Sequence, residues 1–252
     1  MTSLRDDFRA REPVVGGWVS VPHPAVAELL GSLTYDFLVL DGEHGEATHQ
    51  DLADMVRAVD GTRAPTRPLV RVSGADGVEL QRVLNLGPAG VMVPEVETAA
   101  EAEAVVDACQ YRPRGSRGVA GARANDYGAD LDRQVTSGTD VAVVVQIETE
   151  AGVENADAIA AVEGVDAVFL GPNDLSADLG VYGEYESGVF TAAVEAVVGA
   201  GEREETAVGT LAGDPDTVTE RQKWGVDFVV AGTDTSMLAD GARACLDAAN
   251  GN

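Results

Sequence analysis

The chain has 252 residues, 45% of them apolar, which allows one large domain or two small ones with a sizeable core. Its 43 acids against 17 bases leave a net charge of −26, a field that repels nucleic acid and anionic lipid, so neither is expected as a partner. No basic-plus-apolar leader opens the chain and no apolar run approaches the ~20 residues that span a bilayer, so a soluble cytoplasmic protein is expected.

Short apolar runs recur along the chain with amphipathic stretches between them. VVGGWVS (14–20) comes first, and HPAVAELLG after it has Pro early and Gly at its end, the marks of a helix. DFLVLDGE (36–43) and RPLVRV (67–72) follow, then the 3.6-residue pattern DGVELQRVLNLG. AGVMVPEV (89–96) leads into the helical ETAAEAEAVVDACQ. Residues 111–138, rich in Gly and Arg, are too long for an ordinary connection. An ordered loop over the barrel or at a subunit contact is expected there; a plain surface excursion is the alternative. VAVVVQIE (141–148), DAVFLGP (166–172), TAVGTLAG (206–213) and DFVVAGTD (227–234) complete the runs. NADAIAAVEG and DPDTVTERQKWG supply helices between them, and a last helix is expected over 236–249. Continuous apolar runs suit parallel strands buried on both faces. Eight strand–helix units predict a single (β/α)8 barrel of the TIM type over 1–252. A doubly wound open sheet is the alternative, but it wants G-x-G-x-x-G after the first strand, which is absent. No nucleotide cofactor is therefore expected.

Cys109 and Cys245 have no partner at metal-ligand spacing and are expected to be buried thiols in a reducing compartment. The acids are spread along stretches such as EVETAAEAEAVVD, as on the surface of a salt-adapted protein; an ordinary acidic protein is the alternative.

In such a barrel the C-terminal strand ends form the active face. Those ends carry Asp41, Glu43 and His44 after strand 2, Arg71 after strand 3 and Glu95 after strand 4. Gln146 and Glu148 follow strand 5, Gly171, Pro172, Asn173 and Asp174 follow strand 6, Thr210 and Leu211 strand 7, Thr233 and Asp234 strand 8. A strand-end acid often only caps the next helix, which is the expectation for Asn173 and Asp234. His44 beside two acids is expected to be catalytic; His23 and His49 are expected to be structural or solvent-facing. Arg71, directly behind buried Leu-Val, needs an anion or acid and is expected to bind substrate. Glu148 and Asp174 on neighbouring strand ends suit a hard divalent cation that keeps water ligands, whereas zinc would want His or Cys. Lys223 is the only lysine and sits late in the helix before strand 8, away from the mouth. A Schiff-base mechanism is thus disfavoured.

The motifs DGEH, RPLVRV, VMVPEVETAAEA, YRPRGSRGV, QIET, EGVDAVFLGPNDLSADLG and VAGTDTSML make the chain resemble the class II 2-keto-3-deoxy sugar acid aldolases of the HpcH/HpaI type, over about residues 14 to 245. The resemblance implies a pyruvate-binding barrel that reversibly cleaves a 2-keto-3-deoxy or 4-hydroxy-2-oxo acid to pyruvate and an aldehyde. It implies Mg2+, Mn2+ or Co2+ on Glu148 and Asp174, Arg71 supporting the enolate oxygen, and His44 as acid and base. Asp41 or Glu43 would orient the His44 ring. Gln146, Gly171, Pro172, Leu211 and the amides of Asn173 and Asp174 would hold the ligand, with Arg123 facing the aldehyde. It also implies a homo-oligomer, a trimer or hexamer, with its last helix exchanged. One departure stands out: the motif LLDxG, whose Asp pairs with the histidine in such aldolases, reads VLNLG, with Asn85. A lyase acting on citryl-CoA or malyl-CoA and a non-catalytic barrel remain the rival readings.

Overall fold

Each of the eight apolar runs becomes one strand, and the strands close on themselves in sequence order, all parallel. The computed structural model describes residues 2–251. The strands are β1 (Val15–Val19), β2 (Phe37–Asp41), β3 (Arg67–Arg71), β4 (Gly90–Val93), β5 (Ala142–Ile147), β6 (Ala167–Leu170), β7 (Ala207–Ala212) and β8 (Phe228–Thr233). Between them run α2 (Pro24–Gly31), α3 (His49–Asp60), α4 (Gly77–Leu84), α5 (Ala99–Cys109), α6 (Leu131–Ser137), α7 (Glu150–Glu154) and α8 (Ala156–Ala160). α9 (Pro172–Asp178), α10 (Gly188–Arg203) and α11 (Pro215–Gln222) follow, and α12 (Asp234–Asn250) closes the chain. Among the described residues no helix is long and apolar enough to cross a membrane.

Strand side chains alternate, so each strand feeds two cores. Leu38, Leu40, Val70, Val143 and Val145 face outward to the helices. Phe37, Val39, Leu69, Met92, Val144 and Phe169 fill the barrel. A Cβ at Gly16 would come within 2.5 Å of the Phe37 ring, which is why β1 carries glycine where that ring crosses the interior.

Two features were not foreseen. A helix before the first strand, α1 (Leu4–Arg9), is capped by a reciprocal Ser3–Asp6 box and buries Leu4 and Phe8 in the barrel floor. Phe8 sits 4.7 Å from Phe228 and 5.8 Å from Phe37 between ring centroids. Second, residues 111–138 carry a 3-10 segment at Arg123–Gly128 and α6. They connect the C-terminus of α5 to the start of β5, so they cover the N-terminal end of the barrel and not its mouth. Cys109 is buried, and burial pushes its thiol up to about 12. Cys245 is exposed on α12, against the expectation of two buried thiols, because nearly all of that helix projects into solvent. Its apolar Leu238 and Leu246 are exposed with it.

Candidate active site

The alternation that fills the barrel continues one step past the apolar layer. Above Val39 the next inward residue is Asp41; above Leu69 it is Arg71; above Val144 come Gln146 and then Glu148. The side chains that a core position would make apolar are here three ionisable groups and one amide, and all four are buried. With Trp18 from β1 they form the floor of the barrel mouth.

Arg71 organises one half of that floor. Its Nε and Nη2 donate to the two oxygens of Asp41 at 3.0 and 2.7 Å, a bidentate pair. Its Nη1 lies 2.5 Å from Glu43 Oε2, an ion pair bent too far to be a hydrogen bond. The guanidinium stacks 4.6 Å from the Trp18 ring centroid. Asp41 also accepts the Trp18 indole N–H at 3.3 Å and the Glu43 and His44 amides at 3.0 and 3.3 Å. Burial alone would raise the Asp41 carboxyl, but Arg71 and the two amides outweigh it and hold the group below the usual carboxylate range. Glu43 is raised by burial, with the charges of Asp41 and Glu95 adding, against Arg71 and His44.

Glu148 organises the other half. Its Oε1 accepts the Glu95 amide at 2.8 Å and its Oε2 accepts Gln146 Nε2 at 2.9 Å. Glu95 reaches that position with φ +51°, a left-handed conformation that an ordinary side chain rarely holds. Glycine at 171 lets the carboxylate sit where it does, since a Cβ there would come within 2.5 Å of Glu148 Oε2. Burial, then the negative charges of Asp174 and Glu43, push Glu148 up to about 7, against the Glu95 amide and Arg71. Gln146 Oε1 is buried and has no hydrogen-bond partner in the chain.

These facts test whether a divalent cation fits. Buried Asp41 and Glu148, half-buried Glu43 and exposed Asp174 stand around one arginine, which pairs with Asp41 and Glu43, so the mouth carries more negative than positive charge. The orphaned Gln146 oxygen is another oxygen acceptor beside that excess. Among the described residues no group of three or more His, Cys, Asp or Glu surrounds one point. That leaves one or two carboxylates, the pattern of Mg2+ and its relatives and not of zinc. The donor set fits.

A cavity of about 200 Å³ brings His44, Asp41 and Arg71 together with Gln146, Gly171, Pro172, Asn173, Asp174 and Leu211. His44 stands on the rim with its side chain 65% exposed and Nε2 3.7 Å from Glu43 Oε1. Its partner is therefore Glu43; Asp41 is engaged by Arg71. Neither Asn173 nor Asp234 caps a helix by its side chain: Gly171 and Thr233 hold the cap positions. Asp234 instead accepts the Ser20 and Val21 amides, tying down the end of β1. His23 caps α2, as a structural histidine does.

Two expected residues lie elsewhere. Asn85 caps the C-terminus of α4, the end that has returned to the base of the barrel. Arg123 is at that same end, donating to Leu86 O at 2.7 Å and Asp60 Oδ2 at 2.5 Å. Within one chain neither reaches the mouth. Trp18, Ser20 and Phe169 line the cavity and had not been singled out; inward parity on β1 and β6 was the available signal for Trp18 and Phe169.

A family model described as HpcH/HpaI aldolase/citrate lyase matches residues 15–241. The chain is 39% identical over 246 residues to a 4-hydroxy-2-oxovalerate aldolase of Novosphingobium aromaticivorans, covering 96% of this chain and 92% of that protein. It is 38% identical over 243 residues to a hydroxypyruvate/pyruvate aldolase of Delftia acidovorans, covering 95% and 89%. Among solved structures, an HpcH/HpaI aldolase/citrate lyase family protein from Burkholderia cenocepacia superposes with a TM-score of 0.94 at 34% identity, over 99% of this chain and 100% of that one.

Proposed function

This chain belongs to the HpcH/HpaI aldolase/citrate lyase family, and we infer that its barrel mouth cleaves a 4-hydroxy-2-oxo acid to pyruvate and an aldehyde, and runs the reverse addition. The observation that carries this reading is the buried pair of opposite halves: Glu148 with its excess negative charge, and Arg71 fixed beside it. A divalent cation such as Mg2+, Mn2+ or Co2+, held by Glu148 and Asp174, supplies positive charge at the keto oxygen when bound.

The chain's own residues do the rest. Arg71 spends two of its five N–H groups in hydrogen bonds to Asp41 and turns Nη1 toward Glu43, which leaves N–H groups for a ligand oxygen. Because Asp41 and Trp18 fix the guanidinium in advance, it needs no reorganisation as negative charge develops on the enolate oxygen. The amides of Asn173 and Asp174 receive the carboxylate end, and Gln146 steadies the keto end. His44, paired with Glu43, takes the proton from the C4 hydroxyl. The C3–C4 bond then breaks, its electrons passing into the pyruvate enolate, and the aldehyde leaves. Return of the proton to C3 gives pyruvate. Lys223 caps the far end of α11 at the base of the barrel, so an imine with this substrate is excluded by distance.

Cleavage of 4-hydroxy-2-oxovalerate, followed by pyruvate release, tests the reading. Exhaustive chelation should abolish it and Mg2+, Mn2+ or Co2+ should restore it; full turnover after chelation would overturn it. The CoA-lyase alternative has no support in the geometry, because the arginines of 112–123 lie at the base, away from the mouth. We also propose a homo-oligomer that exchanges α12: its apolar residues are exposed, and a groove of about 430 Å³ lined by Tyr35, Val218, Ala231 and Met237 is open beside it. Light scattering on the full chain and on a chain ending at residue 233 checks this; the same number of subunits in both would sink it.

A further inference from the structure

Asn173 does more than lend its amide to the site. Its side-chain Oδ1 lies 2.5 Å from the Tyr185 hydroxyl, on the loop between α9 and α10. Tyr185 is itself held: the Arg221 guanidinium of α11 stacks 4.3 Å from its ring centroid, and the Phe190 ring meets it edge-on at 5.3 Å. Trp224 takes the same guanidinium at 4.1 Å from its ring centroid. Arg221 is buried, its Nε has no partner, and it forms no ion pair among the described residues. A cation stacked on a phenol face draws charge from the ring and makes the hydroxyl a better donor and a poorer acceptor. Burial meanwhile raises the Tyr185 hydroxyl, so it keeps its proton. The Asn173 amide is thereby fixed with its oxygen turned to Tyr185 and its NH2 group left over.

Asn173 lines the mouth cavity at its exposed edge. The mouth has a buried floor of Arg71, Gln146 and Glu148 and an exposed rim that includes His44 and Asn173. A ligand whose keto end is on the floor presents its aldehyde half to the rim. We propose that the Tyr185–Arg221 stack locks Asn173 as a hydrogen-bond donor to the aldehyde half, so that Asn173 is a specificity-determining residue favouring acceptors with an oxygen on the carbon next to the carbonyl. Tyr185 and Arg221 are positioning residues for it. This rests on the aldolase reading above.

Two assays separate the levels. Exchange of pyruvate C3 protons for solvent deuterium needs the floor and His44 but no aldehyde. Addition of pyruvate to glycolaldehyde and to propanal, near-equal in size, compares an acceptor with an oxygen to one without. The unmodified enzyme should favour glycolaldehyde in kcat/KM by roughly three- to tenfold, the range of one neutral hydrogen bond. Tyr185→Phe, which touches no ligand, should remove most of that preference through the aldehyde KM while exchange continues, and Asn173→Ala should remove it as well. An unchanged preference in both variants, with exchange running in Tyr185→Phe, would overturn the proposal. Absence of exchange in the unmodified, cation-loaded enzyme would overturn the aldolase reading itself and this inference with it.

Discussion

The two ends of the barrel are built from the same residue types in opposite balance. At the base every named acid meets a guanidinium: Asp166 takes both Arg5 and Arg9, Asp227 takes Arg11, and Asp7 takes Arg67. At the mouth Arg71 pairs with Asp41 and Glu43, and Glu148 and Asp174 form no ion pair among the described residues, with His44 on the rim. Charge at the base is satisfied within the chain and serves stability. Charge at the mouth stays in excess inside a cavity, which is tolerable only if something arrives to neutralise it.

Substitutions at either end break that contrast in different currencies of measurement. The largest effect expected is on Arg71→Met, about 10³-fold in kcat/KM, since it removes a preorganised charge from the reacting oxygen. His44→Ala should follow at about 10²-fold, with a flattened pH–rate profile. At the base, Asp166→Ala strips partners from two arginines and from the Val143 amide, and should lower stability by about 2–3 kcal/mol, or about 5–10 °C in Tm, with turnover per folded molecule kept. Loss of activity beyond the loss of folded protein would erase the division between the ends.

Glu148→Gln sharpens the comparison through pH. Glu148 is raised in the folded chain from 4.5 to about 7. Its contribution to stability is therefore fully present below 4.5 and lost as pH rises through 7, in protein stripped of cations. The glutamine variant should thus match the stripped parent near pH 4.5 and exceed it at pH 8, by up to about 3 kcal/mol in denaturant melts. No gain at pH 8 would show that the mouth tolerates its own charge. The smallest effect expected is on Asn85→Asp. From the base of its own barrel it should leave the pH–rate profile of His44 unchanged, and a shift would mean that a neighbour's base reaches this mouth.

The barrel was legible because its information is local and repeated. Each run of Val, Leu and Phe carries its own burial, and the strand-end polar residues fall out of the period of two. Asp41, Arg71, Gln146 and Glu148 needed no tertiary knowledge beyond the closure of the sheet. What could not be read is what depends on pairing at a distance. Asp41 or Glu43 was expected to orient the histidine, and which of them does is decided by the register of β2 against β3, which sets Asp41 beside Arg71 and leaves Glu43 beside His44. The Tyr185–Arg221 stack joins residues 36 apart through the packing of α11 on the loop before α10. Asn85 and Arg123 lie at the base of their own barrel for a simpler reason: a helix that follows a strand runs back to the base, so within one chain neither shares the strand's own end. α1 lacks a repeating unit, and its marks, the Ser3–Asp6 capping box with Leu4 and Phe8, fill a single short helix.

The placement of Lys223 has a practical side. It is an exposed lysine at the C-terminal cap of α11, and the sequence contains no other. Amine-reactive resins and dyes would therefore find one side chain to grip, and it points away from the catalytic opening. The protein comes supplied with a handle for oriented immobilisation, its mouth left facing the flow of reagents.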